Sequence, residues 1–137
     1  MTAVLMVAHH ERTEAAALAR VAQEWLEARG HTAWMLAEDA EALDLASLRS
    51  ERAPRDAELV LSLGGDGTML RTVKILDGAP APIIGVNVGL LGYLTEVDPP
   101  ALTTALERYF SGDYTTEERM MLSISIDRVG TTADRPP

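Results

Sequence analysis

The chain has 137 residues, of which 47% are hydrophobic, and a formal net charge of −9 from 21 acidic and 12 basic residues. That length suits one domain with its own core, and an acidic chain without a lysine–arginine cluster argues against nucleic acid as a partner. Cysteine is absent, no apolar run approaches the roughly 20 residues that cross a bilayer, and the N-terminus lacks a signal-peptide pattern, so we expect no membrane association and a cytoplasmic location.

The first part of the chain predicts two strands with a helix between them. Ala3–Ala8 is almost wholly apolar, which is typical of a strand buried on both faces of a parallel sheet. Thr13–Arg29 has apolar residues near helical spacing, and Gly30 is placed to end that helix. His31–Leu36 predicts the second strand. The acidic stretch Glu38–Ser50 predicts one or two irregular helical turns, and its acid run Glu38–Asp44 is expected to be a solvated surface.

The rest of the chain predicts three further strands and two helices. In chain order these are a strand at Glu58–Leu63, a helix at Thr68–Leu76, a strand at Ile83–Val86, a helix at Ala101–Phe110 and a strand at Met120–Arg128. Asp98 is placed as the N-cap of the second of these helices and Gly112 as its stop. Alternating strands and helices predict an α/β fold with a mostly parallel sheet and flanking helices.

The most informative segment is the turn after the third strand, where residues 64–67 read Gly-Gly-Asp-Gly. Glycines at a strand-to-helix junction are expected to permit positive φ and to let a ligand approach the backbone closely. The N–H groups from Gly65 to Met69, through Thr68, can then converge on phosphate oxygens at the helix N-terminus. Arg71 lies one turn further on, where it is expected to reach the same anion.

Asp66 needs an explanation, because a carboxylate repels phosphate unless a proton or a metal ion is involved. It can accept a proton from a nucleophilic hydroxyl or act through Mg²⁺. The alternative is a tight turn in which Asp66 only caps the helix. Position at the carboxyl end of a strand, where open α/β sheets bind ligands, favours a functional turn.

A second glycine-rich loop follows the fourth strand, at residues 85–94. Asn87 offers an amide there, and Leu91 and Tyr93 can contact a planar ring; the alternative is a loop whose tyrosine fills the core. If the third and fourth strands are parallel neighbours, both loops open on the same rim. His9 and His10 end the first strand on that rim, although two partly exposed loop histidines are the simpler interpretation. Trp25 and Trp34 are expected to be core residues rather than stacking platforms. No set of histidines and carboxylates in the sequence has the spacing of metal ligands.

Taken in order, residues 64–71 (Gly-Gly-Asp-Gly-Thr-Met-Leu-Arg) and 85–96 (Gly-Val-Asn-Val-Gly-Leu-Leu-Gly-Tyr-Leu-Thr-Glu) resemble the NAD kinases. The first motif also occurs in diacylglycerol kinases and sphingosine kinases and, in related form, in 6-phosphofructokinases. The second motif is much closer to the NAD kinases. The resemblance implies a 6-phosphofructokinase-like N-terminal domain. It would comprise residues 1–118, with residues 119–137 starting the connection to a β-rich C-terminal domain that is absent here.

The resemblance also implies an activity, which is phosphoryl transfer from ATP or polyphosphate, with a divalent ion such as Mg²⁺, to the 2′-hydroxyl of the adenosine ribose of NAD, giving NADP. On matching positions, Asp66 is the general base, Gly67 supplies backbone contacts and Arg71 binds ligand. Tyr93 lies near the adenine, where the family commonly has Phe, and Leu91 lines the same pocket. Members of the family typically form homo-oligomers. A domain that carries only half of the cleft is expected to be inactive on its own. The alternatives are a lipid kinase or a non-catalytic nucleotide-binding domain.

Overall fold

The computed structural model describes residues 1–89, 95 and 97–114, and the backbone of residues 124–128 and 131–135. The strands are Ala3–Ala8 (β1), Thr32–Trp34 (β2), Leu59–Gly64 (β3), Ile83–Asn87 (β4), Ile124–Arg128 (β5) and Thr131–Arg135 (β6). The helices are Thr13–Ala28 (α1), Ala37–Ala42 (α2), Asp66–Leu76 (α3) and Leu102–Ser111 (α4), with 3-10 turns at Ala46–Leu48, Pro54–Asp56 and Pro99–Ala101.

The central sheet has four parallel strands in the order β2-β1-β3-β4. The chain runs from β1 outward to β2 and then returns to the other side of β1 to form β3. Strand order therefore reverses between β1 and β3, and such a switch point opens a crevice at the carboxyl ends of the strands. The predicted α/β class with a parallel sheet is confirmed. β5 and β6 form a separate antiparallel pair.

Helices cover both faces of the sheet, which explains why β1 and β3 are buried along their whole length. One face packs against α1 and α4 through residues such as Leu26 and Leu106. The opposite face, which includes Trp34 of β2, packs against Leu76 of α3. Trp34 is therefore a core residue, as expected, and Trp25 packs at the edge of the first cluster, where it stacks on Phe110.

The helix ends agree closely with the sequence. Gly30 follows α1 and Gly112 ends α4, each with a φ of +81°, which a glycine adopts at no steric cost. Asp98 occupies the expected N-cap position, but within the described residues its side chain makes no capping hydrogen bond, and the first turn is 3-10 rather than α. β5 begins at Ile124, so the first residues of the strand predicted from Met120 lie outside the described residues. No helix in the described ranges is long and apolar enough to cross a membrane.

Candidate phosphate-binding site

The turn at residues 64–67 is tighter than the sequence predicted. β3 ends at Gly64 and α3 begins at Asp66, so Gly65 alone separates them. The helix was expected from Thr68 and starts two residues earlier, with the first intrahelical hydrogen bond from Met69 N to Gly65 O at 3.0 Å. The first-turn N–H groups of a helix have no acceptor within the helix and lie at the positive end of its dipole. The turn therefore presents an anion-binding N-terminus directly at the end of a strand.

The glycines of this turn do not use the positive φ that glycine permits. The glycines with positive φ lie elsewhere in the described chain, and Gly65 has a φ of −115°. Glycine is needed for space instead. A Cβ on Gly64 would overlap the side chain of Thr68, whose Cβ is only 2.7 Å from that position, whereas a Cβ on Gly65 or Gly67 would meet nothing within 4 Å. Gly64 thus allows close packing, and the other two leave the space above the turn open.

That space belongs to a cleft of about 520 Å³ between the carboxyl ends of β1 and β3. It lies at the switch point of the sheet, where the strand order alone predicts a ligand site. The residues that line it are His9, His10, Glu11, Glu38, Gly65, Gly67, Thr68 and Arg71. The two histidines therefore lie on the same rim as the glycine turn, as the topology predicted.

Arg71 forms a bidentate ion pair with Asp39, a residue that the sequence analysis did not single out. Its Nη1 and Nη2 donate to the two carboxylate oxygens of Asp39 at 2.8 and 3.2 Å, and Nη2 also donates to the carbonyl of Ala8 at 2.7 Å. These bonds use three of the five N–H donors of the guanidinium. Arg71 still lines the cleft, but Asp39 sets its direction.

Asp39 is the most buried charged group near the cleft. The acid run Glu38–Asp44 was expected to be a solvated surface, and for Asp39 this is wrong, because its side chain is 1% exposed. Its carboxylate also accepts hydrogen bonds from the Ala8 N–H at 3.1 Å and from His10 Nε2 at 2.6 Å. Burial raises the pKa of Asp39, but the hydrogen bonds from Arg71, His10 and Ala8 outweigh burial and hold the pKa below its ordinary value.

The loop after β4 meets the glycine turn, as predicted for neighbouring parallel strands. Asn87 lies opposite Gly64 in the strand register, and Val88 N donates to Gly64 O at 2.8 Å. The side-chain oxygen of Asn87 is buried and has no hydrogen-bond partner among the described residues. Such an acceptor is unusual, because the large majority of buried polar side-chain atoms have a hydrogen-bond partner. Leu91 and Tyr93, the expected ring contacts, lie outside the described residues.

A further contact joins the two loops at the rim. Gly89 has a φ of +102°, and the guanidinium carbon of Arg12 lies 3.1 Å from the position that a Cβ on Gly89 would occupy. Arg12 comes from the loop after β1, so its side chain spans from that loop to the one after β4. Sequence reasoning missed this residue, because nothing in its local pattern separates it from an ordinary surface arginine.

Metal binding by protein side chains alone finds no support, since the described residues contain no group of three histidines or acids that could hold an ion. Mg²⁺ in phosphoryl-transfer sites is commonly held by one or two carboxylates together with the substrate phosphates. Asp66, in the first turn of α3, offers one such carboxylate next to the cleft-lining Gly65 and Gly67, although Asp66 itself is not among the residues that line the cleft. The donor set therefore fits an ion that arrives with a nucleotide.

The fold and this site define a class of protein: an α/β domain with an open, glycine-lined helix N-terminus at the switch point of a parallel sheet. Comparison with known proteins then identifies the family. A sequence model described as the ATP-NAD kinase N-terminal domain matches residues 4–114. The chain belongs to the ATP-NAD kinase family, and the resemblance stated from its motifs is confirmed.

Individual relatives agree with that assignment. The chain is 42% identical over 104 residues to an NAD kinase of Geobacter metallireducens, an alignment that covers 76% of this chain and 37% of the relative. Among solved structures, the yeast NADH kinase complexed with NADH has a TM-score of 0.74 at 15% identity, over 99% of this chain and 46% of that one. An NAD kinase from Archaeoglobus fulgidus in complex with ATP has a TM-score of 0.58 at 20% identity, over 90% of this chain and 40% of that one.

The chain thus spans less than half the length of the relatives it matches. At identities of 15–20% the solved structures show the shared fold, including the parallel sheet and its flanking helices.

Proposed function

We propose that the full-length protein is an NAD kinase, which transfers a phosphoryl group from ATP to the 2′-hydroxyl of the adenosine ribose of NAD. The observation that carries this proposal is the open, glycine-lined N-terminus of α3 at the switch point, with Asp66 in its first turn and Asn87 on the adjoining strand. Membership of the family supports it, as do the names of two structural relatives, one bound to NADH and the other to ATP.

Within this proposal Asp66 is the general base. It accepts the proton of the 2′-hydroxyl while the hydroxyl oxygen bonds to the γ-phosphorus and the bond from that phosphorus to the ADP oxygen breaks. Gly65, Gly67 and Thr68 hold phosphate oxygens through their N–H groups, and Gly64 keeps the turn closely packed beneath them. A divalent ion, Mg²⁺ in the first instance, neutralises phosphate charge when it is bound.

The remaining site residues bind the substrates. Arg71 contacts ligand at the floor of the cleft with the two N–H donors that neither Asp39 nor the Ala8 carbonyl uses. Asn87 accepts a hydrogen bond from a substrate donor through its unpartnered oxygen. Leu91 and Tyr93 contact the adenine ring. Polyphosphate is the alternative phosphoryl donor.

The proposal extends to the context of the domain. Residues 1–118 form the domain that carries the turn, and residues 119–137 begin the connection to the rest of the protein. The full-length protein acts in the cytoplasm as a homo-oligomer and binds neither nucleic acid nor membrane.

The test is NADP formation by the full-length protein from NAD, ATP and Mg²⁺, compared between the wild type and Asp66→Asn. A positioned general base contributes a factor of about 10²–10⁴, so kcat should fall by that factor. Asp77→Asn is the matched control, because Asp77 is exposed at the opposite end of the same helix and its left-handed backbone, with a φ of 44°, suits asparagine.

A kcat for Asp66→Asn close to that of the control would refute the role of the base. Phosphorylated lipid as the main product in a parallel substrate screen would refute the choice of NAD. Binding of NAD and ATP without turnover by the full-length protein would favour the non-catalytic alternative.

A further inference from the structure

The buried carboxylate of Asp39 connects four segments around the cleft. Asp39 lies on the short helix α2 and bonds to the last residue of β1, to His10 in the following loop and to Arg71 on α3. Both His10 and Arg71 line the cleft, with side chains about one-third exposed, whereas Asp39 is 1% exposed and does not line it. Asp39 therefore acts on any ligand through its neighbours.

The need for this contact follows from the sheet. β2 pairs only with Ala3–Leu5 of β1, so the outer edge of β1 extends beyond its partner before it reaches the cleft. At Ala8 the exposed edge is completed by side chains: Asp39 accepts from the Ala8 N–H at 3.1 Å and Arg71 donates to the Ala8 carbonyl at 2.7 Å. The Asp39–Arg71 pair thus replaces a missing strand at this point, and Arg71 is tied to the sheet itself.

We propose that Asp39 is a positioning residue for the phosphorylated substrate, holding the Arg71 guanidinium and the His10 imidazole in their ligand-binding directions at the floor of the cleft. The inference rests on the proposed function for the identity of the ligand. A bidentate carboxylate fixes the plane of a guanidinium as well as its place, and the fixed plane directs the remaining N–H donors of Arg71 toward the cleft.

Charge alone predicts the opposite effect, and this makes the proposal testable. Removal of a negative charge near a site for a polyanion should tighten binding by simple electrostatics. If Asp39 acts by positioning, its removal should weaken binding instead, because Arg71 and His10 lose their common acceptor. The sign of the change in KM separates the two roles.

The experiment compares Asp39→Asn with Glu41→Gln in the full-length protein, measuring KM and kcat for ATP and for NAD and affinity for each by calorimetry. Glu41 is the matched control, since it lies on the same helix, loses the same charge, and is paired with Arg49 at the surface away from the cleft. We expect Asp39→Asn to raise KM or Kd for at least one substrate about tenfold, the equivalent of one lost charge-assisted bond. We expect Glu41→Gln to leave both constants within about twofold.

A merely structural role would lower the active fraction and hence the apparent kcat, with KM and the calorimetric Kd unchanged, and this result would overturn the proposal. So would tighter binding by Asp39→Asn. Should that variant not fold, Asp39→Glu serves in its place, because glutamate keeps the charge but moves the carboxylate by one methylene from its place between Arg71 and His10. It should raise the same constant, and an unchanged constant would overturn the proposal. If neither the wild type nor any variant makes NADP, the proposed function fails. The calorimetric Kd values for ATP and NAD still test the positioning role of Asp39 in that case.

Discussion

The two kinds of glycine in the turn should respond in opposite ways to a single methyl group. Gly64 lies beneath α3, and a Cβ there would overlap the side chain of Thr68, which is 6% exposed. Gly67 is an exposed helical residue, and a Cβ there would meet nothing within 4 Å. Gly64→Ala therefore tests the packing of the turn, and Gly67→Ala tests the open space over it.

For Gly64→Ala we expect a loss of about 1–3 kcal/mol in the free energy of unfolding, the usual range for overpacking a tight site. The added methyl lies 2.7 Å from Thr68 Cβ as well as close to its hydroxyl, so Thr68→Ala in the same chain should restore little. Relief requires Thr68→Gly, which removes the Cβ itself. Urea unfolding of the full-length protein measures all three variants.

For Gly67→Ala we expect an unchanged or slightly higher free energy of unfolding, by up to about 0.5–1 kcal/mol, because alanine restricts the unfolded chain and favours helix. Its methyl group projects into the cleft where a phosphate must approach the backbone, so ATP affinity by calorimetry should fall about tenfold or more. Wild-type ATP affinity in Gly67→Ala, or wild-type stability in Gly64→Ala, would refute this division of roles.

Two pH dependences follow from the described contacts. His31 Nδ1 accepts a hydrogen bond from Thr2 N and its ring stacks on Phe110; burial, then the N-terminus and Arg29, lower its pKa. Folding therefore favours the neutral ring, so the stability that His31 contributes above pH 6.5 should be lost as the pH falls below that value. The free energy of unfolding of His31→Gln, measured in urea, should lack this pH-dependent loss. Parallel pH profiles for the wild type and His31→Gln would contradict the prediction. The pKa of Asp39 is lowered, so its contribution should be present above pH 3.8 and lost on further acidification. At pH 7 the free energy of unfolding of Asp39→Asn should be about 1–3 kcal/mol lower than that of the wild type, and the difference should shrink below pH 3.8. A difference that stays constant with pH would contradict the pairing of Asp39 with Arg71 and His10.

Sequence patterns predicted most of the fold because the patterns are local. The unbroken apolar runs of β1 and β3 indicate burial on two faces, and Gly30 and Gly112 mark helix ends by backbone conformation alone. The start of α3 was placed two residues late because Gly67 disfavours helix interiors. In the structure Gly67 lies in the first turn, where the open side of the helix faces the cleft.

The Asp39 contact could not be predicted in the same way. Asp39 stands in an acidic stretch that resembles a solvated surface, and it is 32 residues from its partner Arg71 and 31 from Ala8. The pair depends on where β2 ends relative to β1, which is a property of register rather than of composition. The only local signal is that Arg71 follows the glycine turn by one helical turn, which indicated an anion but could not show that the anion is a carboxylate of the same chain.

The charges around the cleft indicate how a phosphorylated ligand is held. Among the lining residues other than the histidines, Arg71 contributes one positive charge, and Glu11 and Glu38 contribute two negative charges. Asp39 already neutralises Arg71. Within the proposed function, a polyanion therefore gains little from the net charge of these side chains, and we expect its binding to depend mainly on the N–H groups and dipole of α3 and on a cation that accompanies it. The same balance explains why the glycine turn, rather than a basic cluster, was the informative part of the sequence: in a chain of net charge −9, backbone donors supply what side chains do not.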